Sequence, residues 1–137
     1  MPIEVRIDSA QRVVFARAVG TLTDDDVFSY QRDVWSRPEL SGFDELMDLA
    51  HVGTIEVPSA DRVRQLAVLA AEMEVSVPPG RFAVVAPNDQ AYGLARMYES
   101  WRELQGTKRK PIGIFRTASE ALAFLGLPAD FEPRLRP

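Results

Sequence analysis

Residues 78–104 read PPGRFAVVAPNDQAYGLARMYESWREL, and the fold class turns on this stretch. Phe82 to Ala86 is apolar without interruption, the pattern of a strand covered on both faces, where a strand with one wet face would alternate. It predicts an interior strand, central in its sheet. Pro78-Pro79-Gly80 punctuates the chain before it, since neither residue type continues a regular element easily. After it, Asn88 and Asp89 offer a helix cap, and Leu94, Met97, Trp101 and Leu104 recur at helical spacing up to Gly106. A doubly buried strand followed at once by a helix is a unit of a parallel α/β sheet, because parallel strands need long crossover connections.

Working outward, Ile112 to Phe115 reads as the next strand. Thr117-Ala118-Ser119-Glu120 reads as a capping box opening a helix through Leu125, with Gly126 as its stop. Upstream, Pro58 to Glu74 carries Val63, Leu66, Ala67, Ala70 and Met73 on one helical stripe, and Glu45 to Ala50 reads as a short strand. Thr23 followed by Asp24, Asp25 and Asp26 is an N-cap with carboxylates over a helix start; Val27, Tyr30 and Val34 form its stripe and Pro38 closes it. Ile3, Val5 and Ile7 alternate with charged residues. Val13 to Val19, ended by Gly20, follows after a short polar link, so these two strands form an antiparallel hairpin. The order ββαβαβαβα predicts a mixed, mostly parallel five-stranded sheet with helices packed on it. One domain spans residues 1–127, and 128–137 is a Pro-rich tail without periodicity.

A chain of 137 residues with 46% hydrophobic and 26% charged residues can bury one good core and is neither disordered nor fibrous in composition. It has no cysteine, which removes disulfides, thiolate metal sites and a thiol nucleophile. No apolar run exceeds Leu66 to Ala71, far short of the ~20 residues of a membrane span. Charged residues alternate through the N-terminus, unlike a signal peptide; a cytoplasmic location is the expectation. With a net charge of −4, nucleic acid is not an expected partner.

His51 is the only histidine. With Asp48 and Ser59 nearby it invites comparison with a serine–histidine–aspartate relay, but no G-x-S-x-G elbow surrounds a serine, and a histidine just after a strand is ordinarily a loop residue. A metal site would need three carboxylates brought from elsewhere. Successive helical residues point in different directions, so Asp24, Asp25 and Asp26 read as dipole partners and not as cation ligands. Lys108-Arg109-Lys110 reads as a solvated run beyond a helix C-terminus. No catalytic residue, metal or cofactor is expected.

Asn88, Tyr92 and Arg96 are the candidate binding residues. They follow the carboxyl end of the interior strand, where open α/β sheets place ligands, and free amides at the helix start could receive an anion. Tyr98 and Trp101 are further candidates for a pocket wall, although aromatic residues at helical spacing are usually core. Gly93, costly within a helix, suggests close packing.

Gly20-Thr21-Leu22-Thr23, Leu46-Met47-Asp48-Leu49 with Val52, Tyr92-Gly93-Leu94-Ala95-Arg96-Met97, and Ala121-Leu122-Ala123-Phe124-Leu125, set in this element order, resemble the SpoIIAA-like group of STAS-type domains, the sulfate-transporter and anti-sigma-factor-antagonist family. The resemblance covers residues 3 to 126. It implies a small regulatory or ligand-binding module, in some relatives a switch phosphorylated on a serine at the start of the second helix. Aligned from Asp48, that position falls on Pro58, with Ser59 one residue beyond. The leading expectation is a non-enzymatic module binding a protein partner or a small ligand, apolar or anionic. The alternatives are partner switching regulated at Ser59, and an enzyme with an unrecognised site drawing on Asp48, His51 or Arg96. A hairpin at the sheet edge leaves a homodimer open.

Overall fold

The computed structural model describes residues 2–57, 59–74, 80–105 and 110–131. The expected roles of Pro58, Pro78, Pro79, Gly106, Lys108, Arg109 and residues 132–137 lie outside these. Five strands form one sheet in the order β1-β2-β3-β4-β5: β1 (Ile3–Asp8), β2 (Val13–Thr23), β3 (Asp44–Glu56), β4 (Phe82–Val85) and β5 (Ile112–Phe115). β1 and β2 are antiparallel and all other neighbours parallel. Helices α1 (Asp24–Trp35), α2 (Ala60–Met73), α3 (Asp89–Leu104) and α4 (Ala118–Leu125) connect and follow them. This is the mixed α/β sheet that the sequence predicts.

Strands β2 to β5 are laid down in sequence order, so right-handed crossovers place α1, α2 and α3 on the same face. The side chains agree with that layering. Val14, Ala16 and Ala18 of β2, Met47 and Leu49 of β3, and Phe82 and Val84 of β4 join one core with α1 and α3. The alternate residues Val13, Phe15, Leu46, Ala83 and Val85 join a second core with Ala121, Leu122 and Leu125 of α4. Period-two alternation thus feeds both layers from the same strands. All of β4 is buried, as its unbroken apolar run requires. Its position differs from the expectation: β3 is the middle strand, and β4 lies one in from the edge because β5 adds beyond it.

Several boundaries also differ. Gly20 does not end β2, which runs on to Thr23. Gly20 takes a positive φ of 74° at a register shift against β3, so the glycine serves a bulge that bends the strand without stopping it. The prolonged β2 carries β3 with it, to Glu56 instead of Ala50. Helix α1 ends at Trp35, capped by Ser36, and Pro38 instead begins a single 3-10 turn, Pro38–Leu40. Helix α2 begins at Ala60, with Ser59 at its N-cap.

Caps fix the helix ends. Asp26 N–H donates to the Thr23 hydroxyl at 3.2 Å and Thr23 N–H to the Asp26 carboxylate at 2.9 Å, a reciprocal capping box. The Thr117 hydroxyl accepts from Glu120 N–H, and Gly126 ends α4 in the left-handed conformation at φ 70°. Beyond it, Leu127 and Phe131 pack partly buried on the α4 core.

Candidate functional site

Helix α2 packs mainly on α3 and α1. Beneath it is a cavity of about 130 Å³. Its floor is Met47 and Leu49 of β3 with Phe82 and Val84 of β4; Val63 and Leu66 of α2 roof it. Val27 and Phe28 of α1 form one side, and Leu94, Ala95 and Tyr98 of α3 the other. The α3 side is a departure from the sequence-based stripe. The residues α3 buries are Ala91, Ala95 and Arg102, while Leu104 is 73% exposed. Small side chains turned inward from α3 leave volume that larger ones would fill.

At the amino end of β3 a buried polar cluster lies beside the cavity. Glu45, paired in register with Phe82, has its side chain 5% exposed. Its Oε2 accepts from the Tyr30 hydroxyl at 2.7 Å and from Trp35 Nε1 at 3.2 Å, and its Oε1 from Lys110 Nζ at 3.0 Å. The Lys110 side chain is 8% exposed and its ammonium lies 3.9 Å from the Trp35 ring centre. Lys110 is therefore buried, contrary to the solvated run expected of it: a buried carboxylate needs a cation and hydrogen-bond donors. Burial first, and then the Glu45 carboxylate, hold the Tyr30 phenol well above its usual range. The Tyr98 hydroxyl accepts from Arg102 Nη1 at 3.0 Å, and Arg102 also pairs with Glu74. Burial pushes the Tyr98 phenol up to about 12 despite Arg102 beside it.

At the other end of the strands, Arg62 of α2 pairs with Asp24 and Asp25 of α1 and lies 4.0 Å over the Phe28 ring. Two of the three N-terminal aspartates thus tie the roof to the side wall, beyond their expected role at the dipole.

The expected binding residues are placed elsewhere. Asn88 caps α3, its Oδ1 accepting from Ala91 N–H at 2.8 Å. Tyr92 lies under the Arg116 guanidinium, 4.0 Å from the ring centre, and Arg96, 58% exposed, pairs with Glu99 at 3.4 Å. The three do not line the cavity. Strands added in sequence order also give no reversal at the end of β4, and the crevice at a strand end arises from such a reversal. Ser59 sits at the N-cap position of α2, exposed, but its side chain makes no capping hydrogen bond. His51 lies within β3 and not after it. Its Nε2 is 3.8 Å from Asp48, whose carboxylate also pairs with Arg17; among the described residues no hydroxyl hydrogen-bonds it. No group of three metal-ligating side chains occurs among the described residues, and no described helix is long and apolar enough to cross a membrane.

Sequence reasoning missed Glu45, Trp35, Lys110, Glu74 and Arg102. The four charged residues look like surface when read by type, and Trp35 lies outside the stripe read for α1. The one local signal was Tyr30 on the buried stripe of α1, since a buried phenol requires a partner.

No family model and no curated protein matches the chain. Solved structures that share its fold include these two. One is an uncharacterized protein of the DUF3478 family with a SpoIIAA-like fold from Shewanella loihica PV-4, 18% identical, TM-score 0.51, the match covering 90% of this chain and 91% of that one. The other is the anti-sigma factor antagonist SpoIIAA in its unphosphorylated form, 11% identical, TM-score 0.52, covering 90% and 97%. The fold is SpoIIAA-like, as the resemblance implied.

Proposed function

We propose that the chain is a non-enzymatic binding module whose ligand is a small apolar molecule held beneath α2. The cavity of about 130 Å³ between α2 and the sheet carries this reading. Lining side chains that face a void lose dispersion contacts, and an apolar space of about 150 Å³ is enough to take up benzene in another protein. Polar side chains among the lining residues are engaged with partners, Tyr30 with Glu45 and Arg62 with Asp24. That favours a holding site over a reacting one. Toluene and indole added to the protein should raise its melting temperature as their concentration rises, by mass action. Ala95→Leu, which fills the wall, should abolish that response. If neither compound shifts the wild-type transition, this reading fails.

A second reading, partner switching regulated at Ser59, has its own support. The Ser59 hydroxyl is exposed at the first turn of the roof helix and caps nothing. A phosphate there would meet the helix N-terminus favourably and compete with Asp24 and Asp25 for Arg62. One fold neighbour is named an anti-sigma factor antagonist in its unphosphorylated form, and a protein-directed role of that kind would place the partner at the α2 surface. Ser59→Asp and Ser59→Ala should then differ in toluene affinity and in partner affinity. Equal affinities would remove the switch.

A further inference from the structure

We propose that the chain self-associates through the outer edge of β1, two copies pairing their β1 strands antiparallel about Val5 so that their sheets join into one.

The backbone decides which groups are on offer. β1 is an edge strand, and Ile3–Asp8 pair with β2 without a register shift. Val19 N–H donates to Pro2 O at 2.7 Å, and bonded positions alternate along an antiparallel pair. Pro2, Glu4, Arg6 and Asp8 therefore turn their backbone groups toward β2, while Ile3, Val5 and Ile7 turn theirs outward, where among the described residues no strand meets them. An edge is commonly blunted by a bulge or by a proline within the strand, and β1 has neither. Pro2 precedes the strand, and the N–H that it lacks belongs to the β2 side. The remaining protective device is charge, on Glu4 and Arg6.

Those charges select the occupant and the register. Opposed residues on an antiparallel ladder share a face, so a second β1 pairs odd positions with odd and even with even. Pairing about Val5 sets Val5 against Val5, Ile3 against Ile7, and Glu4 against Arg6 on both sides of the axis. The outward backbone groups of Ile3, Val5 and Ile7 then all find partners. Glu4 and Arg6 fall at the positions without backbone bonds, where facing side chains come closest. Centring on Glu4 would oppose Glu4 to itself; centring on Arg6 would oppose Arg6 to itself and Glu4 to Asp8. Like charges directly across a ladder are destabilising, so of these neighbouring registers the Val5 centre alone is complementary. Val5, 38% exposed at this edge, is covered by its counterpart. The strand is thus complementary to its own copy. One strand from each copy is a small contact, and the dimer is accordingly a weak one that fills as concentration rises.

Sedimentation equilibrium of the full chain over a wide concentration range should show monomer and dimer in exchange. Glu4→Arg and Arg6→Glu, each alone, place like charges opposite one another and should weaken self-association by about 10-fold or more. An equimolar mixture of the two variants, and the double variant, should associate as the wild type does, because opposite charges face each other again. Val5→Pro removes the donor at the axis and leaves the bonds to β2 in place, so it should stay monomeric, with circular dichroism as the check on its fold. If Val5→Pro does not fold, the charge exchange decides alone. A wild-type chain that is monomeric throughout would overturn the proposal and leave the edge to a strand of another protein. A dimer that neither single charge variant weakens would overturn it in favour of another face.

Discussion

Lys110 and Glu45 face one another in a region that excludes water, and each side chain is nearly fully buried. A pair in that setting is revealed by breaking it from one side. Lys110→Met should cost about 3–5 kcal/mol in a denaturant titration, because it leaves the Glu45 carboxylate buried and uncompensated. Adding Glu45→Gln should restore most of the loss. The amide keeps an acceptor for Tyr30 and Trp35 while removing the charge. A double variant no more stable than Lys110→Met would mean that the ammonium stabilises through the Trp35 ring and not through the carboxylate. Gly93 makes the opposite case. It is exposed within α3, and a Cβ placed there would meet nothing within 4 Å, so the packing role that its cost suggested is not what the structure provides. Gly93→Ala should therefore stabilise by about 0.5–1 kcal/mol through helix propensity, read as a higher denaturation midpoint at unchanged slope.

Helix α1 shows how an element is fixed at its ends. Its start is closed by the reciprocal bonds of Thr23 and Asp26, and its first turn is tied to α2 through Arg62. Thr23→Ala should cost about 1 kcal/mol, measured by thermal or chemical unfolding. The loss should also speed amide exchange in the first turn of α1 more than in α4, whose cap is Thr117. At the far end of the molecule Arg81 does the corresponding work for α4. Its guanidinium donates to Phe124 O at 2.9 Å and Leu125 O at 2.7 Å while pairing with Asp44. A cation there meets the negative end of the helix dipole and fastens α4 to the start of β3. Among the described residues no side-chain hydrogen bond or ion pair ties α2 to the sheet; its ties go to α1, and the cavity lies beneath it.

At the scale of the whole molecule, two phenols on the cavity wall couple stability to alkaline pH. Tyr30 and Tyr98 are both held above their usual value of 10.0, Tyr98 at about 12, chiefly by burial. Between these values the unfolded chain has released protons that the folded protein keeps. The stability they contribute is complete below pH 10 and is lost as pH rises through the folded pKa. Denaturation midpoints taken from pH 8 to pH 12 should hold steady and then fall above about pH 10. In Tyr98→Phe the fall should be shallower; an identical fall would mean that Tyr98 ionises alike in both states.

The order of elements, the doubly buried character of β4, the hairpin and the caps at Thr23, Asn88, Thr117 and Gly126 were legible in the residues themselves. Each depends on periodicity or on bonds between residues a few places apart, and a chain carries that information locally. The cavity and the buried polar cluster beside it were not legible. Glu45 meets Lys110 across 65 positions and Arg102 meets Glu74 across 28, and no local pattern marks a charged residue as buried. Only when β5 is added beyond β4 and α2 is carried over α1 and α3 do these side chains come together. Burial and the partner of a charge are properties of that three-dimensional arrangement, because both are set by what the rest of the chain brings alongside.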